Sequence, residues 1–274
     1  MKKSYALAGI MILAAVLLVL PVGAKAEMYI EAYLGGSFAG DLGDNLTVNL
    51  ANGNTVTGNL PGVAQPAVLG GLKVGTGFVK EGFLGYNYPD WMKYLGFYVD
   101  FSFHRLDLKN QGFGTNTYNA AGALISSGVN TEFTSEGTVA TLAFMFAARY
   151  GFFPDSEVPF GRLQPYVAVG PAIMFSTQQP SIKIMNNNGT IFNTLDAGSQ
   201  GSTDICLAVD AGLRYMALKN VSIDASFKYR WANPSYSYSG YVGPGTNAAG
   251  PAFNLKYEPT YNLFSFQLGA AYHF

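Results

Sequence analysis

The sequence predicts an all-β fold: a transmembrane antiparallel up-and-down β-barrel of eight strands, with long extracellular loops and shorter periplasmic turns. Three observations predict it. The chain opens with an export signal. Eight later segments alternate large apolar residues with small or polar ones. The connections between them are long and short in turn.

The export signal occupies residues 1–26. Lys2 and Lys3 form a basic start, Ala6 to Leu20 is apolar, and Pro21 ends the run. Ala24-Lys25-Ala26 is a small-x-small cleavage site, so Ala26 and Glu27 flank the expected cut and residues 27–274 form the barrel domain. Removing Lys2, Lys3 and Lys25 from 16 basic residues leaves 13 against 17 acidic ones, a net charge of −4. Beyond residue 26 no stretch reaches the ~18 apolar residues of a membrane helix. An exported soluble sandwich or a closed barrel remains, because a bilayer tolerates only internally satisfied backbone.

The first strand is Met28–Phe38 and the second Ala67–Val79. The third, Tyr94–His104, sets Leu95, Phe97, Val99, Phe101 and Phe103 against Gly96, Tyr98, Asp100, Ser102 and His104. That period of two is a strand pattern. Val139–Tyr150 is the fourth. Gln164–Ser176 is the fifth, and Pro165 and Pro171 predict a bulge in it because proline lacks a ladder donor. The sixth, Asp204–Met216, puts Ile205, Leu207, Val209, Leu213 and Tyr215 on one face and Cys206, Ala208, Asp210, Gly212 and Arg214 on the other. The seventh, Val221–Trp231, opposes Ile223, Ala225, Phe227 and Tyr229 to Asp224, Ser226, Lys228 and Arg230; the eighth is Phe264–Phe274.

The bulky face suits lipid and the charged, glycine-bearing face suits a narrow enclosed space. Gly40–Pro66, Asp107–Glu136, Thr177–Thr203 and Asn233–Pro259 are then outer loops. Gly82–Lys93, Gly151–Arg162 and Ala217–Asn220 are inner turns. Asn52-Gly53 and Asn188-Gly189 mark hairpin tips, so some strands extend above the bilayer. Leu218-Lys219-Asn220 reads as a three-residue turn with Ala217 opposite Val221, which places Arg214 opposite Asp224 and Asp210 opposite Lys228. The ring-rich clusters are expected in interfacial girdles: Tyr86, Tyr88, Trp91, Tyr150, Phe152, Phe153, Tyr215, Tyr272 and Phe274 on the inner side, Trp231, Tyr236, Tyr238 and Tyr241 on the outer side.

Composition narrows the function. With 12% charged residues and a single cysteine, a basic nucleic-acid binder, a disulfide framework and a Cys-based zinc site are excluded. Two histidines offer no His-rich metal site. No cofactor is expected. The inward face carries Glu31, Lys73, Asp100, Arg149, Asp210, Arg214, Asp224, Lys228 and Arg230. Buried charges must be paired or hydrated, and an eight-stranded lumen is barely wide enough for side chains; a salt-bridged plug is expected over an ion path. Ser102 and His104 share that face, but no third group orients the histidine as nucleophilic catalysis requires, so no enzyme is expected. Cys206 reads as a small interior filler and His273 as a rim residue.

The ending Phe264-Ser-Phe-Gln-Leu-Gly-Ala-Ala-Tyr-His-Phe274 resembles the recognition signal of Gram-negative outer-membrane barrels. The opening Glu27-Met-Tyr-Ile-Glu-Ala-Tyr-Leu-Gly-Gly-Ser-Phe38 is similar to the first strand of the eight-stranded superfamily that includes the OmpA transmembrane domain, opacity-type proteins and OmpW. The resemblance implies insertion by the barrel-assembly machinery with Tyr272 and Phe274 in the signal, outer-membrane lipid as surroundings, and a possible extracellular ligand for the loops. A monomer is expected, without the peptidoglycan-binding domain of OmpA. It implies a structural or surface-interaction role. The alternatives are a small-solute or hydrophobic-compound channel of the OmpW kind and a lipid-modifying enzyme.

Overall fold

A computed structural model describes residues 27–78, 88–185, 189–243 and 252–274. Fourteen strands follow in chain order: β1 (Glu27–Ala39), β2 (Asp44–Leu50), β3 (Thr55–Leu60), β4 (Ala67–Gly77), β5 (Leu95–Arg105), β6 (Leu108–Tyr118), β7 (Leu124–Arg149), β8 (Leu163–Met185), β9 (Ile191–Asp196), β10 (Gln200–Leu218), β11 (Val221–Ala232), β12 (Tyr236–Tyr241), β13 (Ala252–Tyr257) and β14 (Tyr261–His273). Eight of them close a ring in the order β1, β4, β5, β7, β8, β10, β11, β14, with β7–β8 as the pairing that completes it. These correspond to the eight segments read from the sequence; six run longer, β7 and β8 by ten residues or more. Val79, Tyr86, Asn188 and the signal segment with Ala26 lie outside the described residues.

Alternation settles which side is which. On β10, Cys206, Ala208, Asp210 and Arg214 are buried, while Ile205 is 85% exposed and Leu207, Val209, Leu213 and Tyr215 are exposed beside it. On β11, Asp224, Lys228 and Arg230 are buried and Ile223, Phe227 and Trp231 are exposed. An outward apolar wall around an inward charged lumen is the pattern of a barrel immersed in lipid.

The four long connections are more ordered than loops. β2 and β3 fill the first, β6 and the upper part of β7 the second, the tops of β8 and β10 with β9 the third, and β12 with β13 the fourth. They pair as β7-β6-β3-β2-β13-β12 on one side and β8-β9 on the other. Among the described residues the two sides meet at a bridge, Thr194 to Gly243, with N–H to O distances of 3.3 and 3.4 Å in the two directions. The barrel thus continues upward as a second eight-stranded tier. Here the polarity is reversed. The inside is apolar: Leu42, Leu46, Val48, Leu60, Phe133, Ile182, Leu195, Phe253, Leu255 and Tyr257 are buried. Outward residues such as Asn45, Asn49, Ser237, Asn254 and Lys256 are exposed. The upper tier stands in water and holds its core as a soluble protein does.

Four expectations need correction. First, Tyr236 and Tyr238 do not face the lipid boundary. They keep the inward parity of β11 into the upper tier, are almost fully buried, and donate to Ser176 Oγ at 2.6 Å and to the Gln178 carbonyl at 3.1 Å. Tyr241 and Trp231 do point outward. Second, β8 has no bulge at its prolines. Its register with β10 is unbroken from Gln164 to Gln178. On the β7 side the register is the same above and below Pro171, and pairing lapses only at residues 144–145, opposite 170–171. Proline removes one donor there without inserting a residue. Third, the β10–β11 turn is two residues, Lys219-Asn220, because Leu218 pairs with Val221 and the register shifts between Met216 and Leu218. Ala217 is the extra residue of a bulge, so Asn220 needs no left-handed backbone; among described non-glycine residues only Phe153 has a positive φ. Fourth, the outer segments expected as loops are strands, as above. The Asn52-Gly53 tip is a hairpin turn, with Gly53 at φ 84°.

Candidate functional site

The lumen of the lower barrel is the site where the sequence concentrates charge. Alternation aims Glu31 (β1), Lys73 (β4), Asp100 (β5), Asp210 and Arg214 (β10), and Asp224, Lys228 and Arg230 (β11) inward, and all are buried. Register sets their neighbours: Glu31 faces Lys73, Lys73 faces Asp100, Asp210 faces Lys228, and Arg214 faces Asp224.

The contacts are not all between neighbours. Lys73 leaves its facing Asp100 and reaches across the ring, its Nζ 3.4 Å from Asp210 Oδ2 and 3.8 Å from Asp224 Oδ1, while staying 3.2 Å from Oε1 of the facing Glu31. Lys228, on the wall opposite β5, pairs with Asp100 and lies 3.9 Å from Asp210. Arg214 donates to Glu31 Oε2 at 2.8 Å and to Asp224 Oδ2 at 3.3 Å. Arg230 donates to Ser102 Oγ at 3.2 Å and Thr141 Oγ1 at 3.4 Å on the far wall. Four acids and four bases balance, as burial requires.

Three tyrosines complete the carboxylates' coordination. Tyr33 donates to Asp100 at 2.5 Å, Tyr98 to Asp210 at 2.8 Å and Tyr166 to Asp224 at 2.9 Å. None of these three tyrosines is among the site residues expected from the sequence. For two of them the signal is glycine at the facing position: Tyr33 pairs with Gly71 and Tyr166 with Gly212. A Cβ at Gly71 would sit 2.3 Å from the Tyr33 ring, and one at Gly212 would sit 2.5 Å from the Tyr166 ring. Each phenol lies down over bare backbone and points into the lumen.

Other candidates fall elsewhere. Arg149 sits at the periplasmic end, half-buried, with its guanidinium 4.4 Å from the Phe160 ring centre, rather than within the cross-lumen pairs. It borders a cavity of about 30 Å3, room for a water, lined also by Tyr29, Lys73 and Tyr98. Ser102 and His104 are buried at the upper end of the lumen; Ser102 is held by Arg230, and His104 Nε2 lies 3.5 Å from Ser37 Oγ. His273 is buried at the lower end, 2.8 Å from Ser222 Oγ. Cys206 is a buried free thiol. Tyr272 and Phe274 face outward with rings 5.3 Å apart, and the Phe274 amide donates to the Met28 carbonyl at 2.9 Å, tying the last residue to the first strand.

A family model described as the outer membrane protein beta-barrel domain matches residues 12–274. A search of curated proteins finds no match. Among solved structures, the neisserial surface protein NspA is similar at 15% identity over 92% of this chain and 99% of its own, with a TM-score of 0.35. OprG from Pseudomonas aeruginosa shares 13% identity over 92% of this chain and 98% of its own, with a TM-score of 0.42. Ail from Yersinia pestis, an attachment invasion locus protein, shares 14% over 90% of this chain and 99% of its own, with a TM-score of 0.31.

Proposed function

The chain belongs to the outer-membrane protein β-barrel family, which places it in the outer membrane of a Gram-negative cell, and on that premise we propose that it is a sealed, non-enzymatic anchor for a rigid extracellular platform. Its work is done by contact at the cell surface. The observation that carries this reading is the crossing of the lumen by two lysines: Lys73 bridges from β4 to β10, and Lys228 from β11 to β5. A passing ion would have to break these pairs, each held by further hydrogen bonds from tyrosine. Small eight-stranded barrels leave no spare width around such a plug. Above the plug, Tyr236, Tyr261 and Gln178 form a second hydrogen-bonded layer, with Tyr236 Oη 2.9 Å from Tyr261 Oη and Gln178 Nε2 3.1 Å from Tyr261 Oη.

The engagement of Ser102 with Arg230 and of His104 with Ser37 supports the non-enzymatic half of the proposal. The test is conductance. The refolded full chain in planar bilayers is expected to show no discrete steady channels in 1 M salt. Reproducible open levels from the unmodified protein would overturn the sealed reading. An altered lipid A profile on overexpression would overturn the non-enzymatic one.

A further inference from the structure

Among the described residues, the upper tier encloses an unfilled space. The tier's lower half closes on rings: Phe133 and Tyr257 lie 6.3 Å apart, and Tyr236 and Tyr257 6.0 Å. Beside these rings a cavity of about 330 Å3 opens. Its walls come from six strands and include Leu46, Val48, Val56, Ile182, Ile184 and Leu195. Among the described residues, none that lines it is charged and none is aromatic. Leu46, Val48, Ile182 and Leu195 are buried, while Val56, which faces Val48, and Ile184, which faces Thr131, are half-buried, so among the described residues the space is a cup open at its half-buried side.

Close-packed interiors rarely keep such voids. The size and the mostly apolar lining with a few polar groups are those of small-molecule sites. We infer that the extracellular tier is a binding cup for a neutral, chain-shaped aliphatic molecule with one hydrogen-bonding end. The lining selects it. Aliphatic walls without rings favour a flexible chain over a flat aromatic. The absence of charge disfavours ions, because a buried unpaired charge is costly. The Thr115 and Thr131 hydroxyls lie 3.1 Å apart, and Thr131 Oγ1 lies 3.2 Å from the Val129 carbonyl, so these two hydroxyls are engaged within the wall. Nearer the mouth, Thr117, Ser126 and Asn193 offer hydroxyl and amide groups to a polar end. The cup lies in the tier whose outer face is polar, clear of the lipid-facing wall. Its occupant therefore comes from the aqueous side, and not from acyl chains still anchored in the bilayer. This inference goes beyond the sealed-anchor reading and does not rest on it; a conducting lumen would leave it standing.

The probe is 1-decanol, added to the full-length mature chain in lipid nanodiscs with isoleucine methyl groups labelled for NMR. Ile182 and Ile184 report the cup, and the lipid-facing Ile173, Ile205 and Ile223 report partition into the bilayer. Saturable shifts at Ile182 and Ile184 are expected. Val56→Phe, which fills the mouth, is expected to weaken them at least tenfold in apparent affinity while the Ile173, Ile205 and Ile223 signals stay in place. Should that variant lose the fold, Val129→Phe from another wall makes the same test. Shifts confined to the lipid-facing isoleucines, or cup shifts that survive both substitutions, would overturn the proposal. An equal response to sorbitol would overturn the aliphatic assignment.

Discussion

Lys73→Met removes the charge at the centre of the lumen and keeps most of the side chain's volume. The surrounding carboxylates then number four against three bases. Truncating one partner of a buried ion pair typically costs about 3–5 kcal/mol. Lys73 is touched by three carboxylates at 3.2, 3.4 and 3.8 Å, which argues for the upper part of that range. Arg214 still serves Glu31 and Asp224, and Lys228 still approaches Asp210, which argues for the lower part. The balance is about 3 kcal/mol, a large share of a marginal stability of roughly 5–15 kcal/mol. Urea unfolding in lipid vesicles, followed by tryptophan fluorescence, measures it. Lys73→Met with Asp210→Asn restores neutrality while leaving an oxygen to accept from Tyr98, and at least about 1 kcal/mol of the loss is expected back, within the coupling seen for residues of one network. A Lys73→Met protein within about 1 kcal/mol of the parent, or a double variant no better than the single one, would refute the picture of a neutral interlocked plug.

Four further outcomes are expected. A double-mutant cycle of Arg214→Ala and Asp224→Ala should give a favourable coupling of roughly 0.5–3 kcal/mol; additive losses would remove the pair from the account. Deletion of Phe274 should lower the amount of heat-modifiable barrel in the outer membrane, and normal levels would show that the terminal ring is dispensable for assembly. In intact cells Gly122→Cys, at the β6–β7 turn, should react with an impermeant maleimide and Lys219→Cys should not; the reverse pattern would invert the topology. Burial pushes the Tyr236 phenol up to about 12, from an ordinary value near 10. A group raised on folding stabilises fully below its unfolded value, so this contribution, on the order of 2 kcal/mol, is lost as pH rises from about 10 to 12. Tyr236→Phe should flatten that part of the stability profile; an unchanged slope would assign the loss to other groups.

The lower barrel was legible because lipid imposes a severe contrast. A charge facing lipid at the midplane costs roughly 2–4 kcal/mol, so Asp210, Arg214, Asp224 and Lys228 declare the inner face by themselves. The same contrast fixed the parity of β10 and β11 even though the turn was read one residue too long; the bulge at Ala217 absorbed the difference. The upper tier was harder to read because its strands β2, β3, β9, β12 and β13 are only six or seven residues long and turn Asn, Ser and Thr to water, which is also the composition of loops. Tyr236 and Tyr238 alternate with Ser237 and Ser239 in either reading. A ring suits a lipid interface or a protein core equally, and only the position of the water decides. The cross-lumen partners of Lys73 and Lys228 were beyond reach for a different reason: register names the facing residue, but a long side chain in a narrow ring can span to the opposite wall.

The strands β7 and β8 run for 26 and 23 residues without interruption. At ~3.4 Å per residue and a tilt of about 40°, β7 climbs roughly 65 Å, of which about 25 Å passes the apolar band. The tip therefore stands on the order of 40 Å clear of the hydrocarbon, about the thickness of a whole bilayer with its headgroups. A flexible segment could wander to that distance but would spend little time there, and a partner would have to immobilise it at a cost in entropy with each contact. A strand tier that is continuous with the anchor holds its summit at one height and one orientation. For the described strands reach is settled when the chain folds, and the height at which a partner meets them is set in advance by the length of β7 and β8.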